Sequence, residues 1–181
     1  KPKFGSSLAR LHRFKNMITQ IVHQEPDFLI VNKPSGLMTH PNKEGEDALS
    51  VQLVAQFPEL KGVGPDPLRP GIVHRLDKET SGVIVIARTN AMYNHIRKQF
   101  DESKVEKEYV ALVYGIVTKD HGIIDAPLSR SSKGQFTTGQ GGRDAITEYT
   151  VTKRYPLAPT PFTLLSLHPK TGRTHQLRVH M

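Results

Sequence analysis

Apolar residues in this chain come in short bursts divided by turn-forming residues. Phe28 to Val31 is such a burst, entered from Glu25-Pro26-Asp27 and left through Lys33-Pro34-Ser35-Gly36. The pattern predicts a strand running into a turn, where Pro34 fixes the backbone and Gly36 permits a positive φ. From Ala48 to Phe57 apolar residues stand at 48, 49, 51, 53, 54, 55 and 57, as in a helix that Pro58 ends. Lys61 to Pro70, rich in glycine and proline, predicts a loop. Two further apolar runs lie within Gly71 to Arg88 and flank Asp77-Lys78-Glu79-Thr80-Ser81-Gly82, a strand, tight loop, strand pattern. Thr89 is placed to cap a helix from Asn90 to about Asp101, with Met92, Ile96 and Phe100 on its buried face. Its opposite face, with Asn94, Arg97, Lys98 and Gln99, is expected in solvent.

Glu108 to Val117 reads as a strand. Period two puts Tyr109, Ala111, Val113 and Gly115 on one side and Val110, Leu112, Tyr114 and Ile116 on the other, and Tyr114 is assigned to the core. Ser129 to Gly142, polar and glycine-rich with Arg130 and Lys133, is expected to be a flexible loop. Ala145 to Arg154 and Phe162 to His168 are two more strands, joined through a proline-rich connection. Many strands, few helices and hairpin-like spacing predict an α+β domain with a largely antiparallel sheet.

The chain has 181 residues, enough for one domain with a real core. It has no apolar run near the ~18 residues a membrane-spanning helix needs, so no membrane association is expected. It contains no cysteine, which excludes disulfides and cysteine-bearing zinc sites. Its histidines show no His-Glu-x-x-His arrangement, and its glycines fit neither a P-loop nor a dinucleotide fingerprint. Neither a metal nor a cofactor is expected. The net charge of +8 favours a polyanionic partner. Lys1, Lys3, Arg10, Arg13 and Lys15 are spread over residues 1–24 with no acid among them, and Lys170 to Arg178 likewise carries three cations and no acid. Residues 1–24 are therefore read as a basic arm or linker, or the end of a transit peptide, and 25–181 as the main domain.

Asp77 is the residue with chemical promise. A carboxylate at the mouth of a loop between two apolar runs can act as nucleophile, general base or ligand. It can equally cap its own turn. His74-Arg75-Leu76-Asp77-Lys78-Glu79-Thr80-Ser81-Gly82 resembles the signature loop of the pseudouridine synthases, in the branch that modifies large-subunit ribosomal RNA and some transfer RNA. Three other segments match in the same order. Asp27 to Pro41 resembles the family's opening strand and turn, Lys107 to Gly115 its tyrosine strand, and Thr171 to Met181 its late arginine motif. The resemblance spans Asp27 to Met181. Family members continue beyond this last motif, so the domain is expected to be incomplete at its C-terminus.

The resemblance implies the pseudouridine synthase fold, a mixed, largely antiparallel sheet with flanking helices and a central RNA-binding cleft. It implies isomerisation of specific uridines in RNA, without cofactor, by a monomer in the cytoplasm, or in the mitochondrion of a eukaryote. It implies Asp77 as nucleophile, with attack on the sugar C1′ or on uracil C6 both open. Arg178 would pair with that aspartate, and Tyr109 would stack on the uracil and take part in proton transfer. Arg75, with His74 beside it, would fill the stack vacated by a flipped base or hold a phosphate. Lys33, Arg173 and His175 would be RNA contacts, and the loop from Ser129 to Gly142 a flap touching RNA. Large-subunit ribosomal RNA is the favoured substrate, because Asp125-Ala-Pro-Leu-Ser-Arg130 is also closest to the ribosomal members. The competing readings are a transfer-RNA synthase, a non-catalytic RNA-binding module of the same fold, and an unrelated glycosidase. The last of these usually needs two working carboxylates, and only Glu79 lies near Asp77 in sequence.

Overall fold

A computed structural model describes residues 19–131, 134–139, 141–157 and 159–181. The first 18 residues, most of the expected basic arm, and Lys133 of the expected flap lie outside the described residues. The chain divides into two compact units, Lys1–Glu102 and Ser103–Met181.

The first unit is built on a three-stranded antiparallel sheet in the order β1-β2-β3, from β1 (Gln20–Gln24), β2 (Phe28–Lys33) and β3 (Gly82–Ala87). Strand alternation sets which side chains go inside: Leu29 and Val31 of β2 and Ile84 and Ile86 of β3 are fully buried. They face one another in register, Leu29 opposite Ile86 and Val31 opposite Ile84. Helix α1 (Leu49–Gln56) buries Leu49 and Leu53, and a short 3₁₀ turn, Pro58–Leu60, buries Leu60. Pro58 thus starts this turn as well as closing α1. Helix α2 (Asn90–Asp101) begins where its cap predicted, the Thr89 side chain accepting from the Met92 N–H at 3.2 Å. Met92, Ile96 and Phe100 pack on Val63, Val73 and Ala87. Arg97 is not simply solvated, because its guanidinium donates to the Val73 carbonyl at 3.0 Å and to Asp101 at 2.7 Å.

Two expectations change in this unit. The run Gly71–Val73 is not a strand; it makes a single bridge, Ile72 to Ile86, at the edge of β3. Gly71 is crowded against that edge with φ +71°, and a Cβ there would lie 2.4 Å from the Ala87 carbonyl oxygen, so no other residue fits. The end of the supposed arm, residues 20–24, forms the edge strand β1, with a bulge between Ile21 and His23.

The second unit contains a four-stranded antiparallel sheet in the order β4-β9-β8-β5, from β4 (Tyr109–Tyr114), β5 (His121–Asp125), β8 (Ile146–Tyr155) and β9 (Phe162–Pro169). A hairpin of β6 (Leu128–Arg130) and β7 (Phe136–Thr138) and a one-turn helix, α3 (Gln176–His180), complete it. On β9 every second residue, Thr163, Leu165 and Leu167, is buried. The segment expected as a loop, Ser129 to Gly142, holds much of the β6–β7 hairpin, whose Leu128 is buried. Strand β5 went unpredicted. Tyr114 is not in the core: it is 81% exposed, on a face of β4 shared with Val110 and Leu112, which are also exposed. The period-two assignment of β4 is right, but the face holding Tyr109, Ala111 and Val113 is the one turned inward.

Candidate functional site

Antiparallel pairing decides where Asp77 sits. Lys33, the last residue of β2, lies opposite Gly82, the first of β3. The chain leaving β2 and the chain arriving at β3 therefore emerge from the same end of the sheet, side by side. The first makes the turn 34–39, and the second carries Leu76 to Ser81.

Hydrogen bonds weld these two segments. The Gly36 N–H donates to the Lys78 carbonyl at 2.8 Å and the Ser35 hydroxyl to the Glu79 carbonyl at 2.7 Å. Gly36 takes φ +88°, which favours glycine at this contact. The Thr39 hydroxyl donates to the Leu76 carbonyl at 2.8 Å and accepts the Leu76 N–H at 3.2 Å. The Thr80 N–H closes a turn onto the Asp77 carbonyl at 3.1 Å. Asp77 is half-buried, and the backbone on both sides of it is held by a neighbouring segment. A carboxylate on such a loop has little freedom to wander, as a nucleophile requires.

Lys33, expected as an RNA contact, is fully buried. Strand period puts it on the same face as Leu29 and Val31. Its ammonium donates to the carbonyls of Leu37 at 2.7 Å, Pro34 at 2.9 Å and Lys78 at 3.2 Å. Burial pulls its pKa from 10.5 to about 8, against the pull of the Glu79 and Asp77 carboxylates, which favour its charge. It is thus an internal strut with its positive end in the field of Asp77, not a surface cation.

His74 is half-buried too. Its ring stacks on Phe100 at 4.9 Å, and its Nε2 accepts the Val85 N–H at 3.0 Å. It ties the approach to Asp77 onto β3 and α2, which leaves its expected part in RNA contact without that ring face. Arg75 is exposed, and its Nη1 donates to His40 Nε2 at 3.0 Å. His40 and Thr39 were missed from sequence. Both lie in the segment that resembles the family's opening turn, but nothing in their spacing marks them.

The second unit holds Tyr109, Arg173, His175 and Arg178. Tyr109 opens β4 opposite Leu167 and is half-buried. Arg178 is exposed on α3, and the placement of that helix rests on Gln176, another residue sequence reasoning missed. Gln176 is 4% exposed. Its amide oxygen accepts from the Thr171 hydroxyl at 2.7 Å and the Arg173 N–H at 3.0 Å. Its amide nitrogen donates to the Ile146 carbonyl at 3.0 Å and the Thr147 hydroxyl at 3.1 Å. His180 completes the dock, with Nδ1 2.9 Å from the Thr147 hydroxyl and Nε2 3.1 Å from the Ala126 carbonyl. Arg173 is exposed and donates to the Asp144 carbonyl at 2.9 Å. His175 precedes α3 in the left-handed conformation, φ 58°, with its ring edge-on to Phe136 of β7 at 5.2 Å. Arg130 lies over the same Phe136 ring, 6.0 Å from its centroid, so a cationic and aromatic cluster joins the hairpin to the helix.

Among the described residues no group of three or more histidine, aspartate or glutamate side chains could hold a metal ion. No helix among them is long and apolar enough to cross a membrane.

Comparison with known proteins gives consistent matches. Residues 27–181 match the family model described as RNA pseudouridylate synthase. The chain is 43% identical over 169 residues to an "uncharacterized RNA pseudouridine synthase" of Aquifex aeolicus (strain VF5), covering 92% of this chain and 52% of that protein. It is 34% identical over 174 residues to ribosomal large subunit pseudouridine synthase D of Borreliella burgdorferi, covering 93% and 52%. Among solved structures, human RNA pseudouridylate synthase domain containing 1 superposes with a TM-score of 0.73 at 30% identity, covering 90% of this chain and 64% of that one. The chain thus spans about half the length of the curated relatives it matches.

Proposed function

Since the chain belongs to the RNA pseudouridylate synthase family, we propose that the protein isomerises uridine to pseudouridine in RNA, with Asp77 as its nucleophile. The observation that carries this reading is the fixed loop around Asp77, inside a matched region that runs from 27 to 181. The reaction breaks the bond between uracil N1 and ribose C1′, turns the base, and joins C5 to C1′. C5 loses a proton and N1 ends with one, so atoms balance and no oxidant or energy source is needed.

Each residue has a part. The Asp77 carboxylate holds the intermediate covalently while the base turns. Lys33 keeps positive charge behind it, and the carbonyls around that ammonium keep its position. The resemblance gives Arg178, on the helix docked by Gln176, the part of the family arginine that serves the aspartate, and gives Tyr109 the part of the tyrosine that stacks on the uracil and assists removal of the C5 proton. Arg75 enters the space the flipped uridine leaves, or holds its phosphate. Arg130, Phe136, His175 and Arg173 offer the RNA a stacking surface beside positive charge.

Large-subunit ribosomal RNA is the proposed substrate, supported by the name of the Borreliella relative and by the Asp125-Ala-Pro-Leu-Ser-Arg130 segment. Site mapping of pseudouridine in cells lacking the gene, rescued with wild type or Asp77→Ala, tests this. One or a few ribosomal sites should vanish and return with wild type alone. Sites lost only from transfer RNA would move the substrate, and no lost site would favour a binding module without catalysis.

A further inference from the structure

The contact between His40 and Arg75 has a chemistry that only one protonation state allows. His40 is 5% exposed, in the turn that follows β2. Its Nδ1 lies 3.1 Å from the Pro41 carbonyl oxygen. A carbonyl only accepts, so Nδ1 carries the hydrogen. Its Nε2 lies 3.0 Å from Arg75 Nη1. A guanidinium only donates, so Nε2 presents a lone pair. The imidazole is therefore neutral, with its proton fixed on Nδ1. Burial favours that state by pulling the His40 pKa below the ordinary histidine value, and the Arg69 and Arg75 cations reinforce it; the Pro41 carbonyl and Asp66 oppose it. Arg69 is itself paired with Asp66 at 3.1 Å.

We propose that His40 is the positioning residue for Arg75, a buried neutral imidazole that aims the guanidinium two residues before Asp77 at the RNA. The inference rests on the reading of Arg75 as an RNA contact. An exposed arginine loses rotamer freedom when ordered. A fixed acceptor pre-orders it before RNA arrives, while the rest of the donor fork stays directed outward. The same geometry sets a pH limit. Protonation of His40 replaces the acceptor lone pair with an N–H aimed at a cation, and with Arg69 also nearby only Asp66 answers the added charge. Arg75 then loses its anchor on the acid side.

The test is a double-mutant cycle on the full-length protein, with pseudouridine formation and RNA binding measured on a transcript of large-subunit ribosomal RNA over a pH series. Arg75→Ala and His40→Leu should each lower kcat/KM by about 10- to 100-fold, and the double variant should be no worse than Arg75→Ala alone. His40→Gln places an uncharged acceptor there and should recover most of the activity while flattening the acid limb of the KM profile. Thermal melting identifies any variant that fails to fold; His40→Gln then carries the pH comparison. Additive losses in the double variant, or an acid limb unchanged in His40→Gln, would overturn the assignment. A fully active Arg75→Ala would also overturn it, leaving the role of Asp77 untouched. Pseudouridine formation by Asp77→Asn would instead overturn the catalytic reading, and RNA binding would still report on the His40–Arg75 pair.

Discussion

Lys33 shows how a residue's chemistry can be inverted by its place in a strand. As a cation in a basic chain it reads as an RNA contact. The alternation that buries Leu29 and Val31 carries on to position 33 and buries the lysine as well, a signal present in the sequence once the strand is extended past its apolar run. The cost is a desolvated charge and the return is a strut between the turn 34–37 and the Asp77 loop. Because the folded pKa is about 8 against an ordinary 10.5, the native state holds fewer protons than the unfolded chain between these values, and stability should rise with pH across that window. Lys33→Met should remove this rise and destabilise the protein at neutral pH by about 1–3 kcal/mol, since buried carbonyls lose their donor. Urea denaturation from pH 7 to 10.5 reads both effects; a variant as stable as wild type that keeps the alkaline gain would refute the strut.

At the level of elements, legibility follows how much of a signal is local. The helix at 90–101 was readable to the residue, because Thr89 caps it and Met92, Ile96 and Phe100 recur on one side. Strands β8 and β9 were readable on either side of their proline-rich connection. Edge strands β1 and β5 were not, because most of their side chains face solvent and no apolar run forms. The β6–β7 hairpin hides in a polar, glycine-rich stretch, since pairing is carried by backbone and not by composition. Helix α3 is the sharpest case: one turn long, it cannot stand by propensity and depends on Gln176. Gln176→Leu keeps the volume but removes the docking bonds, and should cost about 2–3 kcal/mol of stability while lowering activity through a loosened Arg178. Hydrogen exchange at the amides of 176–181 should rise; unchanged protection there would show that α3 is held by something else.

For the whole molecule, the four segments that resemble the family were visible in the sequence, and the matched region 27–181 contains them all. Which residues they bring close was legible only in part. Asp77 stood out because it interrupts apolar runs, whereas its supports, Thr39, Ser35 and Lys33, come from a segment more than 35 residues earlier joined to it by strand pairing. The net charge of +8 has a consequence at this scale. Affinity for RNA should fall roughly 10- to 100-fold between about 50 and 200 mM salt if a few phosphates are neutralised. Filter binding across that range measures the slope, and a flat response would remove phosphate contacts from the account.

Covalent work by Asp77 stands or falls on a comparison of wild type with Asp77→Asn, read as tritium released from C5-labelled uridine in RNA, with RNA binding followed in parallel. The exchange is nearly isosteric, so the Asp77 loop and its bonds to 35–39 should persist. RNA binding should stay within about threefold of wild type, while turnover should fall by at least about 10⁴-fold, on the scale of removing a nucleophile. Turnover close to wild type in a folded, RNA-binding Asp77→Asn protein would contradict it.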